Sequence, residues 1–267
     1  MTTMIAGLQG KKYDLDLPSM RDKVSPEEWQ ARVDLAACYR LVALWDMTDM
    51  IANHISVRVP GEPEHFLINA YGLLYEEITA SSLIKIDLDG NIIAKPDFDY
   101  GVNRAGFVIH SAVHRARHDA ACVIHTHTPA GMAISSMKCG LLPLTQTAMR
   151  FAKVAYHDYE GVAVSLDEQA RIVADLGDAD LMVLRNHGLL TVGPTVPQAF
   201  SNIYRAELAC KAQLMAMTAG TELVMPSAEV IAHTNHLYRP EVRRPFGVLE
   251  WPALMRKLDR IDPTYRD

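Results

Sequence analysis

From Ala31 through Leu35, Cys38, Tyr39, Val42 and Leu44, apolar residues recur three and four apart, a spacing that predicts a helix. Ser25-Pro26-Glu27-Glu28 marks its start, with Ser25 as cap and Pro26 in the first position, and it should end near Trp45-Asp46. The pattern then changes to short strands at His54 to Val59, Phe66 to Asn69 and Leu83 to Asp87, with turns at Pro60-Gly61 and Asp89-Gly90-Asn91. Helical spacing returns over Asn103 to Arg117, and a short apolar strand, Ala121 to His125, follows it. Pro129 to Lys138 reads as helix, Val154 to Ala155 as strand, and Ser165 opens a helix that continues through Ala174. Leu181 to Leu184 is wholly apolar, as suits a strand covered on both faces. Val196 to Ala219 is a long amphipathic helix bounded by Pro197 and Gly220.

These elements predict one α/β domain over residues 25–220, with helices on both faces of a central, largely antiparallel sheet. Residues 1–24 read as a loose arm. Residues 221–267 mix Pro, Arg and aromatics and read as an extension packed on the domain or on a neighbouring subunit, through Trp251, Leu254 and Met255.

Composition narrows the function. The 267 residues can bury roughly 70 to 75% of their unfolded surface, so no metal is needed merely to hold the fold, and a metal found here would serve chemistry. The formal charge of −6 is spread in mixed signs, which argues against nucleic acid and anionic membranes as partners. Cys38, Cys122, Cys139 and Cys210 form no CxxC pair, and the first, second and fourth sit among apolar neighbours, which predicts buried, reduced thiols. Met1 to Ser19 holds no apolar run of signal-peptide length, and nowhere do about 18 apolar residues follow one another. A cytoplasmic protein is the expectation.

The 11 histidines are the candidate chemistry. In Val123-Ile124-His125-Thr126-His127 two imidazoles stand two apart on a strand or its end, so both rings share one face. His187 follows the apolar run, in Arg185-Asn186-His187-Gly188, and a third imidazole at a strand end could complete the set. Three neutral imidazoles with an open fourth position make a catalytic type of zinc site that also accepts Fe, Mn or Co. On spacing alone the alternative stays open: a His-x-His pair is as often two polar residues on a strand.

The segments Val123-Ile124-His125-Thr126-His127-Thr128-Pro129-Ala130-Gly131 and Arg185-Asn186-His187-Gly188-Leu189-Leu190-Thr191-Val192-Gly193 resemble the class II aldolase/adducin family. Gly72 to Leu83, Gly101 to Phe107, Met137 to Pro143 and Val154 to Tyr159 are similar to the adducin branch in particular, and the likeness spans roughly residues 30–220. The resemblance implies a three-layer α/β/α sandwich around a mainly antiparallel sheet, assembled as a homotetramer with sites at subunit interfaces. It also implies that His125, His127 and His187 hold one divalent ion, most often zinc, which polarises a small-molecule substrate.

The family pattern is incomplete here. Aldolases of this family carry an acid/base Glu 19 residues before the first metal histidine, and that place is Gly106. Of the segments that bind a substrate phosphate in those enzymes, the matching stretches are Asn53-His54-Ile55-Ser56, Tyr71-Gly72 and Arg104-Ala105, where only Ser56 and Gly72 agree. His54 and Tyr71 are then candidate substrate contacts in the altered pocket. Arg104 could bind a carboxylate, or be a salt-bridged helix residue. His110, one helical turn beyond Gly106, could be a fourth ligand, a proton carrier, or a buried histidine bonded to backbone. Two functions follow from the resemblance. One is a metal-dependent lyase cleaving, decarboxylating or dehydrating a small oxygenated carbonyl or carboxylate compound. The other is a non-catalytic, adducin-like binding or assembly protein. Actin and spectrin are weak carry-overs, because Arg243, Arg244, Arg256, Lys257 and Arg260 are interspersed with acids rather than gathered in a Lys-rich tail.

Overall fold

Ser25 accepts a hydrogen bond from the Glu28 amide and Pro26 occupies the first turn, so helix α1 (Pro26–Leu44) begins where the sequence predicts. The computed structural model describes residues 17–151, 153–162 and 165–267; of the expected N-terminal arm, residues 1–16 lie outside the described residues. Consecutive residues Leu35 to Tyr39 are all fully buried, so α1 is enclosed on nearly every side rather than resting on a surface.

The chain then forms an eight-stranded mixed sheet. Its strands are β1 (His54–Val59), β2 (Glu62–Ile68), β3 (Ile84–Asp87), β4 (Ile92–Ala94), β5 (Cys122–Thr126), β6 (Val154–His157), β7 (Leu181–Leu184) and β8 (Gly188–Gly193). Their order is β4-β3-β2-β1-β5-β8-β7-β6. Every pairing is antiparallel except β6 with β7. The remaining helices are α2 (Arg104–Ala116), α3 (Pro129–Ser135), α4 (Gln146–Met149), α5 (Gln169–Leu176), α6 (Val196–Thr218), α7 (Ala228–Leu237) and α8 (Glu250–Ile261).

Strand alternation divides the interior into two cores and makes three layers. On one face Ile55, Val57, Cys122, Ile124, Leu189 and Val183 join residues of α1, α3, α6 and α8. On the other, Val123, Leu190, Val192 and Met182 meet Ile109 and Val113 of α2 and Ile172 and Leu176 of α5. The period of two therefore sends His54, Ser56 and Arg58 of β1 toward α2, opposite to Ile55 and Val57. The Tyr39 hydroxyl anchors this stretch from α1: it accepts from the Ile55 and Asn69 amides at 2.9 and 3.1 Å and donates to the Ile55 carbonyl.

The C-terminal stretch holds more regular structure than its composition suggests. Trp251 and Met255 of α8 are buried in the larger core, Leu254 packs partly against it, and Trp251 Nε1 donates to Asp34 Oδ1 of α1 at 2.9 Å. These side chains bury within their own chain. Cys38, Cys122 and Cys210 are buried free thiols, whereas Cys139 is exposed. Among the described residues no helix is long and apolar enough to cross a membrane.

One buried ionic cluster ties α1 to the sheet. Arg32, fully buried, pairs with Glu28 at 2.9 Å and donates to the Ala80 and Leu83 carbonyls, while Lys85 of β3 reaches Glu28 at 3.0 Å. Arg32→Met is expected to destabilise the protein by about 3 kcal/mol, the low end of the range for breaking a buried pair because Lys85 still compensates Glu28. Arg40→Ala, which loses the partly exposed Asp262 pair, should cost about 1 kcal/mol or less. Urea denaturation of the two variants beside the parent gives the comparison.

Candidate metal centre and the histidine chain behind it

The site lies where β5, the turn after β7 and the loop before β1 meet. His125 points to the α2 face of the sheet, and His127, just past the end of β5, follows it by the same period. The turn between β7 and β8 supplies His187. Asn186 takes a left-handed conformation (φ 53°), its amide donates to the Ser135 carbonyl at 3.3 Å, and the Arg185 guanidinium donates to the Met137 carbonyl and stacks 4.2 Å from the Tyr156 ring. These contacts fix the turn that carries His187. Gly188 is required beside it, because a Cβ there would stand 2.3 Å from the Thr126 carbonyl oxygen.

The three Nε2 atoms converge. His125 to His127 is 2.7 Å, His127 to His187 is 2.9 Å and His125 to His187 is 3.3 Å. Two of the rings have their other nitrogen engaged: His125 Nδ1 donates to the Leu189 carbonyl at 2.9 Å, and His127 Nδ1 donates to Asp49 Oδ2 at 3.0 Å. In its neutral form each ring then presents an Nε2 lone pair to the common point, the hydrogen-bonded arrangement that prepares imidazoles for a metal. Two lone pairs at 2.7 Å with no donor between them repel unless a cation lies there. The donor set thus fits a divalent ion of the zinc type, with one position left open. Thr128 steadies this segment from below, capping α3 through the Gly131 amide and donating to the buried Glu207 carboxylate of α6.

Beside the triad runs a second set of side chains. His54 faces His125 across the β1–β5 pairing, with ring centroids 5.0 Å apart. His54 Nδ1 lies 2.8 Å from His110 Nε2, His110 Nδ1 lies 2.6 Å from Ser56 Oγ, and Ser56 Oγ lies 2.7 Å from His114 Nε2. Burial and the like charge of neighbouring rings hold His54, His110 and His125 well below the ordinary imidazole value. Burial, with Arg58 adding to it, takes His114 to about 3, and burial with His127 and His157 takes His187 to about 4.

Several residues singled out from the sequence fall differently from expectation. Ser56, read as a remnant of a phosphate pocket, is fully buried and occupied by two histidines. His110 is also fully buried, with both ring nitrogens engaged, and His54 stands between it and the triad. Tyr71 is exposed and bridges to Gly101, Gly72 packs its backbone against the Tyr100 ring, and Arg104 is exposed at the start of α2. Among the described residues, none of these three makes a hydrogen bond to the histidines. Asp49 and Glu207 were missed, since each is a lone carboxylate whose partner is 78 or 79 residues away.

The profile of the Class II Aldolase and Adducin N-terminal domain matches residues 33–214. The chain belongs to the class II aldolase/adducin family. An aldolase II superfamily protein from Pseudomonas syringae superposes with a TM-score of 0.87 at 52% identity, covering 94% of this chain and all of that one. The L-fuculose 1-phosphate aldolase of Glaciozyma antarctica superposes at 0.80 with 28% identity, over 90% of this chain and 93% of that one. Rat (Rattus norvegicus) alpha-adducin is 42% identical over 246 residues, which cover 86% of this chain but only 33% of the adducin.

The glycine at 106 has a local steric explanation. A Cβ on Gly106 would stand 2.7 and 2.8 Å from Cδ2 and Cγ of His54, so the imidazole fills the space that any side chain at 106 would need. An interior helical Gly→Ala change ordinarily gains about 1 kcal/mol. Gly106→Ala should instead cost about 1–3 kcal/mol by overpacking, and in a His54→Ala background the same change should become neutral or stabilising, as a urea-unfolding double-mutant cycle would report. The buried rings also set an acid limit. Below pH 6.5 the unfolded chain binds a proton that folded His114 refuses until about pH 3, so stability is complete above 6.5 and falls across that window. Each such ring adds a slope of up to about 1.4 kcal/mol per pH unit. Unfolding free energies at pH 7.5, 6.5 and 5.5 should decline accordingly, with a shallower decline for His114→Gln.

Proposed function

We propose that this chain is a divalent-metal-dependent enzyme of the lyase type, acting on a small oxygenated carbonyl or carboxylate compound by aldol cleavage, decarboxylation or dehydration. The observation that carries the reading is the convergence of three imidazole Nε2 atoms, two of them with lone pairs held inward by Leu189 and Asp49. A scaffold would have no chemical use for that arrangement. Zinc suits the all-imidazole set, and iron, manganese or cobalt fit the same ligands. When bound, such an ion supplies Lewis-acid polarisation of a substrate oxygen. The protein's own part is to aim His125 and His127, to hold His187 on a fixed turn, and to keep the wall formed by His54 neutral. We further place the working form as a cytoplasmic homotetramer, the assembly implied by the family resemblance; the buried free thiols accord with a reducing compartment.

A second reading is supported by Gly106 together with the 42% identity to alpha-adducin. With no carboxylate at that position, the fold could serve binding or assembly alone. Protein purified without a His-tag or added metal should contain about one divalent ion per chain, and His125→Ala/His127→Ala should contain none. Equal, near-zero content in both would remove the metal centre. With metal present, turnover of any member of a panel of hydroxy-keto acids, phosphorylated and unphosphorylated, favours the lyase, whereas inertness across the panel favours the scaffold.

A further inference from the structure

The chain His54–His110–Ser56–His114 admits only two arrangements of its protons. Each of its three contacts needs one N–H or O–H. The serine hydroxyl has one proton and two lone pairs; were it to accept from both rings, its buried O–H would have no partner among the described residues, so it donates to one ring and accepts from the other, and each neutral ring carries one N–H. All donors therefore point toward His114, or all point toward His54.

The far end decides between them. His114 Nδ1 is sealed from solvent and has no partner among the described residues. Were the donors to point toward His114, that atom would carry an orphaned buried N–H, the costlier kind of unmade bond. The Arg58 guanidinium donates to the His114 carbonyl, and its charge, adding to burial, keeps the ring neutral. His114 then donates from Nε2 to Ser56, Ser56 donates to His110 Nδ1, and His110 donates from Nε2 to His54 Nδ1. With Nδ1 occupied as an acceptor, His54 carries its proton on Nε2.

At the near end, His54 Nε2 has no hydrogen-bond partner among the described residues. His54 is 2% exposed as a residue, against 0% for His110 and His114. It lies beside His125, with ring centroids 5.0 Å apart. We propose that His54 is a fixed, neutral hydrogen-bond donor to an oxygen of the molecule bound at the triad, which would be a small compound with adjacent oxygens, one of them a carbonyl or carboxylate oxygen. His110, Ser56 and His114 are positioning residues, each acting through the next to set the His54 tautomer. His54 is then neither a metal ligand nor a base, because its remaining nitrogen bears a proton. Aimed at an oxygen that gains negative charge, such a donor would stabilise that charge without first having to reorganise.

The substrate part of this inference rests on the metal-dependent reading above, while the tautomer part does not. Nitrogen NMR of the histidine-labelled full chain at pH 7.5, with and without zinc, distinguishes Nδ1–H from Nε2–H rings directly, with assignments from single His→Gln variants. The expected spectrum has His54, His110 and His114 all as Nε2–H, and Ser56→Ala should abolish the single preference at His54. An Nδ1–H ring at His54 in the wild-type protein overturns the proposal. Calorimetric binding of oxalate to the zinc-loaded protein should weaken at least tenfold in His54→Phe, with zinc content unchanged, and His54→Asn should recover part of the loss. Affinity within twofold of wild type in a folded His54→Phe variant sinks the donor role. Where that variant fails to fold, the wild-type spectrum still decides. A protein that takes up no zinc but shows the expected tautomers overturns the metal reading and leaves the chain intact.

Discussion

The pairing of β1 with β5 sets His54 opposite His125 and Ser56 opposite Val123, with Ile55 and Val57 turned to the other face. A shift of one residue would exchange these sets, burying imidazoles in the apolar core and presenting isoleucine to the metal centre. The register is held from three directions: by Tyr39 gripping the Ile55 backbone, by the antiparallel partners β2 and β8, and by α2 closing over the polar face. Every functional distance in the molecule inherits this register, because the triad and the chain behind it both begin on these two strands.

A polar seam in the middle of a sheet is costly unless each group finds a partner, since buried polar atoms without hydrogen bonds are penalised more than paired ones are rewarded. Here the cost is met by one hydroxyl that serves two rings and by rings that stay neutral. Two orphans on this face, His114 Nδ1 and Arg58 Nε, lie toward the end farthest from the triad. Gly106 belongs to the same economy of space. It leaves room for the His54 ring, so the glycine on α2 and the imidazole on β1 are one packing solution.

Much of the fold was legible because it rests on local rules. Ser25 and Pro26 start α1, and Asn103 caps α2 through the Ala105 amide. The hairpin at Asp89-Gly90-Asn91 pairs β3 with β4, and the all-apolar Leu181–Leu184 is a doubly covered strand. The tail was less legible: α8 repeats its apolar residues over only three turns among charges, and its partner Asp34 is 217 residues away in sequence. At the site, the histidine pair declared itself through a period of two, and the family likeness supplied His187. Spacing could not say that His110 sits behind His54, because both the strand register and the helix rotation are needed to order the rings. Asp49 had no local signature, being one carboxylate on a loop, and Ser56 had the right identity for an aldolase pocket but the wrong exposure.

With glycine at 106 and an imidazole in the space beside it, the side chains around the triad bring little charge of their own. The three rings contribute none when neutral, His54 contributes none, and the nearest carboxylate that touches the triad, Asp49, acts on the outer nitrogen of His127. A divalent ion held by such a set would keep most of its charge uncompensated by the protein. Taking a charged group into a partly enclosed site is favourable only when an opposite charge comes with it, so a substrate that brings its own carboxylate or enolate oxygens would complete the balance better than a neutral one. On the proposed reading, the ion and the His54 N–H would together receive that charge. The exposed Arg104 would then be unnecessary as an anion anchor, in keeping with its place at the outer start of α2 rather than beside the histidines.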